Sequence, residues 1–86
     1  MNISIDLSMY PLREDFEPTI ISFIQRLRNS PFKVVENGLS TQISGSYFEV
    51  MDFLKENIYA SLIDQENCVF VMKLVTGDRI THDPIY

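Results

Sequence analysis

The stretch NGLSTQISG, residues 37–45, lies in the middle of this 86-residue chain. Asn-Gly is the strongest two-residue hairpin signal, because both residues tolerate the positive φ that a type I′ turn requires. Polar and apolar residues then alternate, which is typical of a strand buried on one face only. The stretch therefore predicts a hairpin that joins the β-rich run FKVVE, residues 32–36, to the return strand LSTQIS, residues 39–44.

A helix is predicted on each side of this hairpin. Upstream, an acidic run precedes Pro18, which suits the first turn of a helix that begins near Glu17. Downstream, Ser46 and Glu49 have the capping-box spacing, so a second helix should run from about Tyr47. Apolar residues at spacings of three and four give each helix one buried stripe: Ile20, Ile21, Phe23, Ile24 and Leu27 in the first, and Val50, Met51, Leu54, Ile58 and Leu62 in the second.

Two further strands are predicted near the ends of the chain. NISIDLSMY, residues 2–10, alternates apolar and polar residues, and CVFVMKLV, residues 68–75, is apolar at nearly every position. The order of elements predicts an α+β class fold, a ferredoxin-like βαββαβ unit with a four-stranded antiparallel sheet and two helices on one face. The length suits one domain, so we expect residues 1–86 to form a single domain in which residues 80–86 are a tail.

The other face of this sheet is expected to be open. Side chains alternate along a strand, so the first strand should turn its apolar set to the helices and its polar set away from them. The apolar set is Ile3, Ile5, Leu7 and Met9, and the polar set is Ser4, Asp6, Ser8 and Tyr10. In the third strand, Ser40, Gln42 and Ser44 should share the open face, while Leu39, Thr41 and Ile43 point to the helices. The first and third strands form the central pair of this fold, so their polar sets should lie side by side.

Two interpretations of this polar face remain open. It is either an ordinary solvated face of an antiparallel sheet, or a hydrogen-bonding site for a small flat molecule with Tyr10 or Tyr47 as a stacking wall. The last strand is apolar on both faces, and such a patch beside a polar strip is typical of a subunit contact. We therefore expect a homo-oligomer, either a dimer or a tetramer.

Charge and segment composition argue against several classes of partner. The net charge is −5 and the seven Lys and Arg residues are scattered, whereas nucleic-acid binding usually depends on clustered basic residues. Neither a signal peptide nor a run of about 18 apolar residues is present, so no membrane partner is expected and the protein should be cytoplasmic.

The chain resembles small cytoplasmic thiamine-binding proteins with a ferredoxin-like fold, related to a tandem-repeat form that binds the hydroxymethylpyrimidine part of thiamine. The segments that carry the resemblance are ISIDLSMYPL (3–12), FIQRLR (23–28), NGLSTQISG (37–45), EVMDFL (49–54) and VFVMKLVTGDR (69–79), of which the first and third are the most specific. One departure is Ser46, which stands where an acidic residue is expected after ISG.

The resemblance implies non-catalytic binding of thiamine or its pyrimidine moiety, for salvage, delivery or sensing. Carried over position by position, it puts these residues at or near the ligand: Ser8, Tyr10, Asn37, Ser40, Thr41 and Gln42. Asp6 joins them on chemical grounds, because the amino group of an aminopyrimidine needs an acceptor such as a carboxylate. The alternative function is a structural or regulatory homo-oligomer whose polar sheet face contacts a partner subunit and binds no ligand.

Catalysis, a metal and a cofactor are not expected. The only histidine, His82, lies in the predicted tail, and the only cysteine, Cys68, lies in an apolar run, so neither a nucleophile–base pair nor a CxxC site is visible. A pyrimidine-modifying enzyme would need a general base, for which only Asp6 or Glu36 is available. A binding protein is therefore favoured over an enzyme.

Overall fold

The fold is taken from a computed structural model that describes residues 1–12, 17–64 and 67–80. In chain order, the elements are β1 (Asn2–Pro11), α1 (Glu17–Arg28), β2 (Lys33–Glu36), β3 (Thr41–Ser46), α2 (Tyr47–Asp64) and β4 (Cys68–Thr76). This is the βαββαβ order that the sequence predicts. Most of the predicted tail, including His82, lies outside the described residues.

The four strands form one antiparallel sheet in the order β2-β3-β1-β4. As predicted, β1 and β3 are the central pair. Their pairing runs from Asn2 with Ser46 to Leu7 with Thr41. On its other side β1 stays paired with β4 as far as Pro11. Beyond Leu7, therefore, β1 has a strand neighbour on the β4 side only.

One core holds both helices against one face of the sheet. Its buried residues are Ile3, Ile5, Leu7, Phe23, Leu27, Ile43, Val50 and Leu54. The three members from β1 are the odd-numbered residues that alternation assigned to the helix side. Phe23 of α1 also packs edge-to-face on Phe70 of β4, with ring centroids 5.3 Å apart. Burial of such side chains is the main favourable contribution to folding, so the alternation of β1 determines which face receives the helices.

The turn between β2 and β3 differs from the predicted type I′ hairpin. Neither Asn37 nor Gly38 has a positive φ, and residues 37–40 form a four-residue loop because the strand pairing ends at Glu36 with Thr41. Asn37 shapes the loop with its side chain, whose Oδ1 accepts the N–H groups of Leu39 (2.8 Å) and Ser40 (3.1 Å). Such Asx interactions replace a tight backbone turn. As a result β3 begins at Thr41, and Leu39 is 90% exposed instead of facing the helices.

The segment after β4, residues 77–80, crosses part of the face that the sequence predicted to be open; we call it the strap. Gly77 turns the chain with a φ of 88°. Ser4 Oγ then donates to the Gly77 carbonyl and accepts the N–H of Arg79, both at 2.8 Å. At the far side of the sheet, Lys33 Nζ lies 2.9 Å from Asp78 Oδ2. Ser4 is only 5% exposed, so this end of the polar strip is covered rather than solvated.

Candidate ligand-binding site

Asp6, Ser40 and Gln42 form a hydrogen-bonded cluster on the open face, next to the strap. Strand pairing sets Asp6 opposite Gln42. Asp6 Oδ1 accepts from Ser40 Oγ at 2.5 Å and from Gln42 Nε2 at 2.9 Å, and Gln42 Nε2 also donates to Ser40 Oγ at 2.7 Å. The bonds from Gln42 and Ser40, with a smaller contribution from the nearby Lys73 ammonium, hold the pKa of Asp6 below its usual value. The cluster therefore carries a fixed negative charge at neutral pH.

A cavity of about 560 Å³ lies over this cluster, and we call it the sheet-face cavity. Asp6 and Gln42 contribute its polar groups together with Lys73, and Arg79 of the strap lines one side. The rest of the lining is mainly aliphatic, including Val35. The sheet-face cavity therefore combines charged side chains with an apolar wall.

A second cavity, of about 370 Å³, lies where β3 begins, and we call it the strand-end cavity. It is lined by the final residues of β1 (7–10), by one face of α1 and by residues 36–41 around the β2–β3 loop. This volume is within the usual range for small-molecule sites. The cavity exists because β1 continues past Leu7 while β3 has not yet begun.

The seven predicted ligand residues divide between these two cavities. The strand-end cavity is lined by Ser8, Tyr10, Asn37, Ser40 and Thr41, and the sheet-face cavity by Asp6 and Gln42. Ser40 links the two groups, because it lines the first cavity and hydrogen-bonds to both residues of the second. The structure thus brings together predicted residues from two stretches of chain, residues 6–10 of β1 and residues 37–42 around the start of β3.

Thr41 and Tyr47 decide two points that the sequence left open. Thr41 is buried on the helix side, as alternation predicts, and it still lines the strand-end cavity because that cavity opens between α1 and the start of β3. Tyr47 lies at the opposite end of β3, where its N–H donates to the Met1 carbonyl at 2.9 Å and its ring packs on Phe48. Of the two candidate stacking residues, only Tyr10 lines either cavity.

Sequence comparison adds a family to this geometry. The model of the YKOF-related family matches residues 2–76. The chain belongs to the YKOF-related family. No curated protein sequence matches this YKOF-related chain at a significant level.

Solved structures share its fold. A Streptococcus pneumoniae protein is 24% identical, with a TM-score of 0.83 and coverage of 94% of this chain and 92% of that one. A Thermotoga maritima protein, named a "putative thiamine biosynthesis/salvage protein", is 18% identical, with a TM-score of 0.80 and coverage of 90% and 85%. A domain of unknown function from Bacillus cereus is 16% identical, with a TM-score of 0.74 and coverage of 99% and 84%. At these identities the likeness supports the ferredoxin-like fold of the YKOF-related chain.

Several lining residues of this YKOF-related protein were missed by sequence reasoning. Ile20, Phe23 and Ile24 were assigned to the core stripe of α1, yet they also line the strand-end cavity. The gap beside these three residues depends on where β3 begins, which local sequence does not fix. Lys73, opposite Asp6 in the sheet, was within reach of prediction, because it is the only charged residue in the apolar run of β4.

The described residues of the YKOF-related chain offer hydrogen bonding and charge. Among residues 1–12, 17–64 and 67–80, no group of three or more His, Cys, Asp or Glu side chains could hold a metal ion. Burial raises the pKa of the Cys68 thiol, so it is protonated at neutral pH and is a poor nucleophile. Within the same residues, neither helix is long and apolar enough to cross a bilayer.

Proposed function

We propose that this YKOF-related protein binds thiamine, or the hydroxymethylpyrimidine part of it, without altering it, for salvage, delivery or sensing in the cytoplasm. One observation carries the proposal: five of the residues that the family resemblance assigns to the ligand line the same strand-end cavity of about 370 Å³. The name of the structurally similar Thermotoga maritima protein is consistent with a role in this area of metabolism.

The chemistry of the strand-end cavity suits a flat, polar heterocycle. Ile20 and Ile24, which are half-buried, offer an apolar surface to the face of a ring, and the half-exposed ring of Tyr10 offers a second. Polar groups of the β2–β3 loop lie along the edge, where ring nitrogens and an amino group need partners. A site of this kind rejects molecules that leave its polar groups unpaired.

Charge favours the thiazolium half of thiamine as well. Glu36 lines the strand-end cavity, but its carboxylate is paired with the Arg28 guanidinium through contacts of 2.7 and 2.8 Å. Asp6 is the other local anion: its hydrogen bonds come from the neutral side chains of Ser40 and Gln42, and the nearby Lys73 ammonium offsets part of its charge. An ionised carboxylate beside the cavity attracts a cationic ligand, and the net charge of −5 acts in the same direction.

Calorimetric titration of the purified protein with thiamine tests the proposal. We expect saturable heat, and mass spectrometry after incubation should recover thiamine unchanged. Absence of both heat and a thermal shift at millimolar thiamine would refute binding. Recovery of a converted product would point to an enzyme instead.

Tyr10→Ala locates the site in the same experiment. Loss of the aromatic surface should weaken thiamine binding by about 5- to 10-fold, the equivalent of one aromatic contact of roughly 1–1.5 kcal/mol. Tyr59→Ala is the matched control, because Tyr59 is 63% exposed against 53% for Tyr10 and lines neither cavity. Equal losses in the two variants would place the ligand elsewhere.

The second candidate is a structural or regulatory homo-oligomer that binds no ligand. The observation in its favour is β4, an edge strand of nine residues with apolar side chains exposed on both faces. Five of these are between 42% and 49% exposed: Val69, Val71, Met72, Leu74 and Val75. Such a strand suits pairing with a second copy, either edge to edge or face to face. Assembly without any thiamine heat would favour this candidate.

A further inference from the structure

Along β1, the main-chain N–H and C=O groups of successive residues point alternately toward β3 and toward β4. The Asn2 carbonyl accepts the Gly77 N–H at 2.7 Å, and the Leu12 N–H donates to the Asn67 carbonyl at 2.6 Å. At both ends of β1, therefore, the main-chain N–H and C=O groups of even-numbered residues point toward β4. The main-chain groups of odd-numbered residues accordingly point toward β3. The Ile3 carbonyl, which accepts from Ser44 Oγ of β3 at 3.0 Å, follows this rule.

Met9 is the odd-numbered residue that β3 does not reach. The β1–β3 ladder ends at Leu7 with Thr41, while the β1–β4 register continues unbroken, so the alternation persists past Leu7. Leu39 would be opposite Met9 if the register continued, but the Leu39 N–H is directed to Asn37 Oδ1. The N–H and C=O of Met9 therefore both point into the gap, where Met9 lines the strand-end cavity.

A main-chain group without a partner inside the protein is free to hydrogen-bond to water or to a ligand. Among the described residues, none supplies a partner to Met9 on this side. Pro11, the next odd-numbered residue, has no N–H, so Met9 offers the last complete donor–acceptor pair along this edge of β1. A donor and an acceptor that project side by side from one residue match a flat ring with an acceptor nitrogen next to an amino group.

We propose that the Met9 main chain recognises the ligand: the N–H donates to a ring nitrogen, and the carbonyl accepts from an adjacent exocyclic amino group. This inference rests on the proposed function and assigns the amino-bearing edge of the pyrimidine to the Met9 main chain. The ring would continue the sheet for one step, as an added strand does, with its faces against the apolar side chains of α1 and the ring of Tyr10.

Two matched pyrimidines test the proposal on the unmodified protein. The probes are 4-amino-5-hydroxymethyl-2-methylpyrimidine and its 4-oxo counterpart, which are nearly identical in shape. The oxo compound sets an acceptor against the Met9 carbonyl and a ring N–H against the Met9 N–H. We expect it to bind at least 10-fold more weakly, roughly the effect of one unpaired buried group.

Each outcome of this comparison bears on one proposal or both. Equal affinities, or tighter binding of the oxo compound, would overturn the role of Met9 and leave thiamine binding standing. Binding of thiamine without binding of either pyrimidine would likewise overturn the role of Met9 and leave thiamine binding standing. Failure of thiamine and of both pyrimidines to bind would remove the proposed function and this inference together.

Amide hydrogen exchange gives a second readout at the residue itself. In the free protein the Met9 amide should exchange faster than that of Ser8, which faces β4 in the continuous ladder. The amino compound should slow exchange at Met9 by about 10-fold or more, because the amide gains a partner, and should leave Ser8 little changed. Bound ligand with no added protection at Met9 would contradict the proposal.

Discussion

Replacing Gln42 with leucine removes both hydrogen bonds that its amide donates, one to Asp6 and one to Ser40. The bond from Gln42 is the largest cause of the lowered pKa of Asp6, so this pKa should rise toward the usual 3.8 in the variant. Titration of the Asp6 carboxyl by NMR measures it. Gln25→Leu on the exposed face of α1 is the control and should leave the Asp6 pKa unchanged.

The same carboxyl makes stability depend on pH. Because the folded pKa of Asp6 lies below the unfolded one, its stabilising contribution is present above pH 3.8 and is lost as the pH falls through the folded pKa. The wild type should therefore lose free energy of unfolding more steeply on acidification than Gln42→Leu. Urea unfolding at a series of pH values checks this, and parallel curves for the two proteins would contradict it.

Gly45 is required by close packing. A Cβ at this position would lie 2.7 Å from Phe32 Cδ1 and 3.0 Å from Val50 Cγ2, so Gly45→Ala should lower the free energy of unfolding by about 1–3 kcal/mol. Gly38→Ala is the matched control, because no atom lies within 4 Å of its added Cβ and its φ is not positive. Similar urea midpoints for both variants would show that Phe32 moves aside freely.

Residue-level prediction succeeded where one rule decides the outcome. Alternation placed Asp6 and Gln42 on the same open face and Thr41 on the helix side; the structure pairs Asp6 with Gln42 and buries Thr41. It failed at Asn37, because an Asn-Gly pair fits either a type I′ turn or an Asx-type loop. The choice depends on where the strands stop pairing, which is set by contacts across the sheet.

At the scale of elements, the strap depends on Ser4. Ser4→Ala removes the acceptor of the Arg79 N–H, so the exchange of the Arg79 amide should accelerate several-fold while the strap detaches more often. The Gly77 amide is the internal control, because it donates to the Asn2 carbonyl and keeps its partner. Unchanged exchange at Arg79 would show that the Lys33–Asp78 ion pair is sufficient to hold the strap.

The strap is also the element that sequence analysis did not foresee. The last strand was predicted over residues 68–75, and the residues that follow it show no periodic pattern from which packing could be predicted. Its position depends on a hydroxyl at residue 4 and an ammonium at residue 33, which are far away in sequence. The helices, in contrast, began at Glu17 and near Tyr47 as predicted, because their signals are local.

On the scale of the whole molecule, self-association through the exposed β4 strand can be tested by substitution. Val71→Asp places a charge in the apolar surface of β4 on the open face, and we expect it to shift the protein toward monomer by sedimentation velocity. Gln25→Asp is the control, since it adds the same charge to α1. A monomeric wild type, or equal assembly of both variants and wild type, would contradict an interface at β4.

The overall architecture was predictable because three signals agreed: two alternating strands, two amphipathic stripes and one hairpin between them. The cavities were not, since each is a space between elements rather than a property of one. The strand-end cavity follows from β1 being longer than its pairing with β3, and no local pattern states how far a pairing extends.

The alternation of side chains along β1 makes the chain tolerate substitutions better than insertions. Its odd positions pack against the helices and its even positions face the opposite side, so substitutions at one set leave the other almost untouched. A single-residue insertion in β1 would exchange the two sets at once. Over evolutionary time, residues on the open face of such a strand can therefore change without repacking the core, whereas the spacing along the strand has to stay constant.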